Sequence, residues 1–238
     1  VKEEKLHIEH IPAVLYGPDS DRLYLYVHGR YSNKEEALGF AAAAVQNGYR
    51  VMSFDLPEHG ERENQDYPCN ARNGKRDLEI VYAYLKDRYK KFSLCACSLG
   101  AYFSLLAYQD IAFERCLFIS PILNMERLIK NMMVWANVSE NELKKKGTIG
   151  TSFGETLSWD YYQYVRENPI RKWDSKTFIL YGERDNLTER QVLDSFSKKY
   201  SCDVTVMENG EHYFHTPEQL AYLDRWIKSA VCRTEKGR

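Results

Sequence analysis

Long hydrophobic runs are absent from the 238-residue chain: the apolar stretch at 40–45 is six residues long, a fraction of the roughly 18 or more that a membrane-spanning helix needs. A soluble protein without a membrane span is expected. An excess of either charge is absent too, since 33 Lys and Arg stand against 34 Asp and Glu for a net charge of -1. No overall field draws such a chain to nucleic acid or anionic lipid, so no nucleic-acid partner is expected. Glycine and proline are scarce, at 13 and 7 residues beside a hydrophobic fraction of 44%, which excludes collagen-like, low-complexity and disordered classes.

Cysteine lacks any framework spacing. The six thiols stand at 69, 95, 97, 116, 202 and 232, and Cys95, Cys97 and Cys116 fall in apolar runs that read as strands, as buried thiols do. The first residues, Val1-Lys2-Glu3-Glu4-Lys5, are charged and have neither the apolar core nor the small-residue cleavage site of a secretory signal. A reducing, cytoplasmic setting is the expectation. Internal repeats and Ser/Gly-rich linkers are missing as well, so organisation must be read from the order of elements.

That order is regular. Short β-rich runs at 6–8, 13–16, 23–27, 51–55, 92–97, 117–120, 178–181 and 204–207 alternate with helical spacing at 34–47, 77–89, 99–108, 188–200 and 217–231. Runs apolar on both faces, such as Leu23-Tyr24-Leu25-Tyr26-Val27, predict an α/β protein with a mainly parallel twisted sheet of about eight strands and helices on both faces. The first two strands are close enough to form an antiparallel hairpin at one edge. Between Pro121 and Asp174 the rhythm stops, with helical spacing at 123–136, 140–146 and 154–167 and no convincing strand. The expected organisation is a core domain of residues 1–122 and 174–238 carrying a helical cap insertion, 123–173, over the strand ends where this architecture places its site.

Three stretches carry chemistry. In Cys95-Ala96-Cys97-Ser98-Leu99-Gly100 a strand runs into a serine with small residues two positions away on each side, and a helix follows. A nucleophile on a tight strand-to-helix turn needs those small neighbours, and the helix N-terminus favours developing negative charge. An N-cap serine opening an ordinary helix competes with this reading. In Val27-His28-Gly29-Arg30-Tyr31 a buried strand ends in His-Gly, and the N–H of Arg30 can join that of Leu99 as an oxyanion hole; His28 reads as structural. The third stretch, Asp55-Leu56-Pro57-Glu58-His59-Gly60, is a polar turn after a strand.

Together the order His-Gly, Asp-x-x-x-His-Gly, small-x-Ser-x-Gly resembles the α/β-hydrolase superfamily, in particular small serine esterases and lipase-like or aminopeptidase-like members with a helical cap. The resemblance implies an acid after a late strand and a histidine after the last one, in that chain order. Both positions are filled: Tyr181-Gly182-Glu183-Arg184-Asp185 offers Asp185, with Glu183 as a possible substitute, and Asn209-Gly210-Glu211-His212 offers His212. Ser98 would then be the nucleophile, His212 its base and Asp185 the group that orients the imidazole.

The implied activity is hydrolysis of a carboxylic ester, or else an amide, of a small or medium organic substrate through an acyl-enzyme, with no cofactor and no metal; His212-x-x-His215 lacks supporting ligands for a metal site. Peptidase, thioesterase and acyltransferase chemistry share the same triad, and a non-catalytic binding protein is the reading from another class. Tyr31, Met132, Trp135 and Trp159 are candidate walls of a substrate pocket. The sequence carries no signal for oligomeric state.

Overall fold

The computed structural model describes residues 1–232; the last six residues of the expected core, 233–238, lie outside them. Eight strands form one sheet: β1 (Glu3–Ile8), β2 (Ile11–Tyr16), β3 (Arg22–Val27), β4 (Arg50–Phe54), β5 (Lys91–Cys97), β6 (Arg115–Ile119), β9 (Thr177–Gly182) and β10 (Asp203–Met207). Between β6 and β9 lie the short strands β7 (Thr148–Gly150) and β8 (Thr156–Ser158). The large sheet runs in the order β1-β2-β4-β3-β5-β6-β9-β10. The β1/β2 hairpin is the antiparallel edge, β2 also meets β4 antiparallel, and all pairs from β4 to β10 are parallel.

Alternation along the strands sorts the side chains into two cores. Leu23, Leu25 and Val27 enter one, with Leu94, Ala96 and Ile179; Tyr24 and Tyr26 enter the other, with Cys95, Cys97, Phe178 and Leu180. The first core is closed by α2 (Ala71–Lys86), α3 (Ser98–Ala107) and α7 (Arg190–Tyr200), the second by α1 (Ala37–Gln46) and α8 (Pro217–Cys232). Both faces of the sheet are covered, as its apolar strands require.

Helix α2 begins six residues before the expected start, because Asn70 accepts a hydrogen bond from the Asn73 N–H and so opens a polar first turn that has no apolar periodicity to announce it. Residues 34–36 form a 3₁₀ turn before α1.

The β6–β9 segment holds three helices, α4 (Met125–Trp135), α5 (Glu140–Lys146) and α6 (Trp159–Glu167). It departs from expectation at 154–158. The chain there is not helical: it turns at Gly154, with φ +90°, and returns as β8 antiparallel to β7. Ser158 then accepts from the Tyr161 N–H and starts α6, so the helix begins five residues later than the periodicity implies. All six cysteines are free, with Cys95, Cys97 and Cys116 buried.

Candidate active site

Strand β5 passes directly into α3, and the residue at the junction, Ser98, has φ +45°. This left-handed conformation is strained for a side chain other than glycine. It is sustained by packing: Ala96 is fully buried between its neighbours in β3 and β6. A Cβ at Gly100 would lie 2.4 Å from the His28 carbonyl oxygen and 2.6 Å from that of Val27. Only glycine lets the first turn of α3 sit against the end of β3. Ser98 thereby stands proud of the sheet at the positive end of a helix.

The Ser98 hydroxyl donates to His212 Nε2 at 2.8 Å, and His212 Nδ1–H donates to Asp185 Oδ2 at 2.8 Å. The other carboxylate oxygen accepts from the backbone N–H groups of Leu187 and Thr188 at 2.8 and 2.9 Å. The Asp185 side chain is fully buried and that of His212 is 12% exposed. Both groups sit on turns at the strand ends, and these turns are bound to each other: Glu183 N–H donates to Met207 O and Arg184 N–H to Gly210 O. A Cβ at Gly182 would lie 2.4 Å from Glu211 O, so the glycine that ends β9 is what lets the His212 loop approach.

Glu183 and His215, the alternatives raised by the sequence, have other partners. Glu183 accepts the Asn209 N–H and buttresses the loop. His215 bonds to Tyr213 O and pairs with Glu211. The Cys97 thiol lies in the core on the α1 side, 3.1 Å from Tyr26 Oη, where burial pushes its pKa well up. Among the described residues no group of three or more His, Cys, Asp and Glu is arranged to hold a metal ion.

The loop after β3 passes beside the serine. A Cβ built on Gly29 would be 3.3 Å from the Ser98 Cβ, so the loop that carries the Arg30 N–H runs close to Ser98, and Leu99 follows it in the first turn of α3, where helix N–H groups have no intrahelical partner. Two histidines fasten this loop. His28 is fully buried, donates from Nδ1 to Gly29 O and accepts the Leu56 N–H at Nε2; burial lowers its pKa to about 4, so it is neutral and structural. His59 donates from Nδ1 to Pro57 O and accepts the Tyr31 N–H at Nε2, 3.0 Å away, and burial lowers its pKa too.

His59 stood in the sequence motif without an assigned role. The loop that carries it is held by two buried ion pairs, Lys34 with Asp55 at 2.8 Å and Arg62 with Asp77 at 2.6 Å.

The expected pocket residues sit in varied places. Tyr31 is 73% exposed with φ +62°; its hydroxyl donates to Glu155 and the Arg30 guanidinium lies 5.0 Å above its ring. Trp135 is half exposed and meets Phe153 edge-on, Trp159 packs on Tyr162 below Lys144, and Met132 is half-buried against the larger core. A cavity of about 530 Å³ opens between α4, α7 and the chain after α6, lined among others by Tyr102, Leu123, Met125, Ile170 and Phe196. Neither Ser98, His212 and Asp185 nor those four residues line it. Glu155, which bonds to both Arg30 and Tyr31, was missed by sequence reasoning; a lone glutamate in a polar turn gives no signal.

No family model matches the chain. Among curated proteins it is similar to Protein ABHD14A of Mus musculus, 22% identical over 209 residues, which are 84% of this chain and 69% of that protein. Among solved structures it is similar to Est1E from Butyrivibrio proteoclasticus with ferulic acid bound (TM-score 0.73, 16% identity, 95% of this chain and 96% of that one). It is also similar to alpha/beta hydrolase domain-containing protein 10 from mouse (TM-score 0.74, 15% identity, 97% and 98%) and to Paleococcus ferrophilus monoacylglycerol lipase (TM-score 0.68, 15% identity, 94% and 98%). The chain has the α/β-hydrolase fold, as its motifs implied. No helix among the described residues is long and apolar enough to cross a membrane.

Proposed function

We propose that this protein is a serine hydrolase that cleaves a small-molecule carboxylic ester through an acyl-enzyme on Ser98. The observation that carries the reading is the continuous chain from Ser98 Oγ through His212 to Asp185, both links at 2.8 Å, with the serine raised on a left-handed turn. His212 Nε2 takes the hydroxyl proton as Ser98 attacks the carbonyl carbon, and later gives it to the leaving alkoxide. Asp185 holds the imidazole with Nδ1 protonated and stabilises the cation formed by the transfer. The N–H groups of Arg30 and Leu99 take the negative charge of the tetrahedral intermediate. A water activated by His212 then releases the acid by the same steps in reverse.

The ester class draws support from the neighbours: one holds ferulic acid, a carboxylic acid, and another is named a monoacylglycerol lipase. Residues 123–173 act in this reading as a cap that shapes access to Ser98. The test is hydrolysis of p-nitrophenyl esters, from acetyl to long-chain and aromatic acyl groups, by the wild type and Ser98→Ala. Turnover that requires Ser98 is the expected result. Ser98-dependent turnover of amides or thioesters alone would transfer the same machinery to another leaving group, and turnover of none would refute the catalytic reading.

A further inference from the structure

The loop that carries the Arg30 N–H turns out toward solvent after the buried Gly29. Tyr31, the next residue, is 73% exposed and sits at φ +62°, a conformation that disfavours a residue with a Cβ by about 1 kcal/mol or more. Such a residue keeps its place only if its surroundings fix it. Two anchors do so. The backbone is fixed by the N–H bond to His59 Nε2 at 3.0 Å, and the side chain by Glu155, whose Oε1 accepts from the Tyr31 hydroxyl and lies 3.4 Å from Arg30 Nε.

Glu155 is itself rigidly presented. Its carbonyl accepts from the Thr151 N–H and hydroxyl at 2.9 and 2.7 Å, and its N–H donates to the same hydroxyl at 3.2 Å, which pins the tip of the β7/β8 hairpin. Arg30 has one further acidic neighbour, Glu58, at 3.8 Å. The hydrogen bond to Glu155, followed by burial, raises the Tyr31 pKa, so the phenol remains the donor.

We infer that Glu155 is a positioning residue for acyl transfer: by clasping the side chains of Arg30 and Tyr31 it holds the Arg30 N–H in line with the oxyanion and ties the β6–β9 segment to the catalytic loop. The inference rests on the proposed function, because it assigns a purpose to the Arg30 N–H. Negative charge on the substrate oxygen exists only in the tetrahedral states, so a loosened donor lowers kcat and leaves KM nearly unchanged. Removing an oxyanion donor outright costs about 10² to 10³ in kcat; a donor that is present but mobile forfeits part of that, on the order of 10-fold.

The experiment compares kcat and KM on p-nitrophenyl acetate, an acyl group too small to reach a distant pocket, for the wild type, Glu155→Ala, Glu155→Gln, Tyr31→Phe and the double variant Tyr31→Phe with Glu155→Ala. Each of Glu155→Ala and Tyr31→Phe lowers kcat about 10-fold with KM within about twofold. The double variant is no slower than the slower single one, because both changes cut the same link. Glu155→Gln, which still accepts from the phenol, recovers most of the rate.

Wild-type kcat in both single variants, losses that multiply in the double, or a rise in KM at constant kcat would each overturn the inference. Tyr31→Phe removes one oxygen from an exposed ring, so the comparison holds even if Glu155→Ala does not fold. A wild type without Ser98-dependent turnover is a separate and earlier result, which refutes the proposed function and this inference with it.

Discussion

The strand-end loops of the sheet and the segment between β6 and β9 are built on opposite principles. In the loops, polar groups are buried and mostly paired: Asp185 accepts three hydrogen bonds, His28 and His59 each use both ring nitrogens, and Arg62 and Asp77 pair with both side chains out of water, Arg62 Nη2 alone of these being left without a hydrogen bond. The segment instead shows Val134, Trp135 and Phe153 to solvent and carries surface pairs such as Lys146 with Glu142. Buried, hydrogen-bonded networks hold atoms in place at a high desolvation cost, whereas exposed aromatic residues adapt. Under the proposed function the difference would assign rate to the loops and selection of the acyl group to the segment, with Glu155 where the two meet.

The most severe way to break that division is Ser98→Ala, which removes the proposed nucleophile and is expected to lower kcat by at least about 10³-fold with little change in the urea midpoint. Appreciable turnover in that variant would place the chemistry elsewhere. Next in size is Asp77→Ala. It leaves the Arg62 guanidinium buried without its carboxylate and destabilises the fold by roughly 3–5 kcal/mol, while Arg62→Met together with Asp77→Leu, which removes both charges, recovers much of the loss. Equal destabilisation by the single and double changes, measured by urea unfolding, would show that the site depends on shape and not on charge compensation.

Acid sharpens the same contrast. Folded His28 takes a proton only near pH 4, whereas an unfolded imidazole does so near 6.5. Between these values the unfolded state binds more protons, so stability is fully present above about pH 6.5 and falls as pH drops toward 4; below that both states are protonated and this loss stops. The difference amounts to about 3 kcal/mol, and His59, lowered in the same direction, adds to it. Urea midpoints at pH 7 and 4.5 measure it, and a wild type whose midpoint does not move would show that these imidazoles are not held neutral.

The two regions also differ in how much the sequence reveals. Seven strands of the main sheet lie close to the expected runs because each is a short, largely apolar stretch between turns, whereas β1 starts three residues earlier than expected, through the exposed Glu3, Glu4 and Lys5 of an edge strand. Ser98, Asp185 and His212 were legible because a nucleophile turn, an acid and a histidine each follow a strand, at places where the backbone itself demands Gly100 or Gly182. The segment gave its helices but hid its hairpin, since three-residue strands such as Thr148–Gly150 are too short to show period 2. Glu155 was invisible because its partners are 124 and 125 residues away. Periodicity reports local burial and carries no record of which turn a distant loop will meet.

Trp135→Ala is the mildest test and the one aimed at the segment alone. The indole is 49% exposed and its ring contact is Phe153, edge-on at 6.2 Å, so its removal destabilises the fold by no more than about 1 kcal/mol. If the segment selects the acyl group, kcat on the acetyl ester is unchanged and KM rises about two- to fivefold for long-chain or aromatic esters. An apolar wall that touches ground and transition state alike governs binding and not the chemical step. A KM shift that is the same for every acyl length would mean that Trp135 supports the segment without meeting substrate. A fall in kcat across the series would mean that the hairpin which holds Phe153 and Glu155 moves as one body, so that the aromatic pair and the clasp on Arg30 are parts of a single brace.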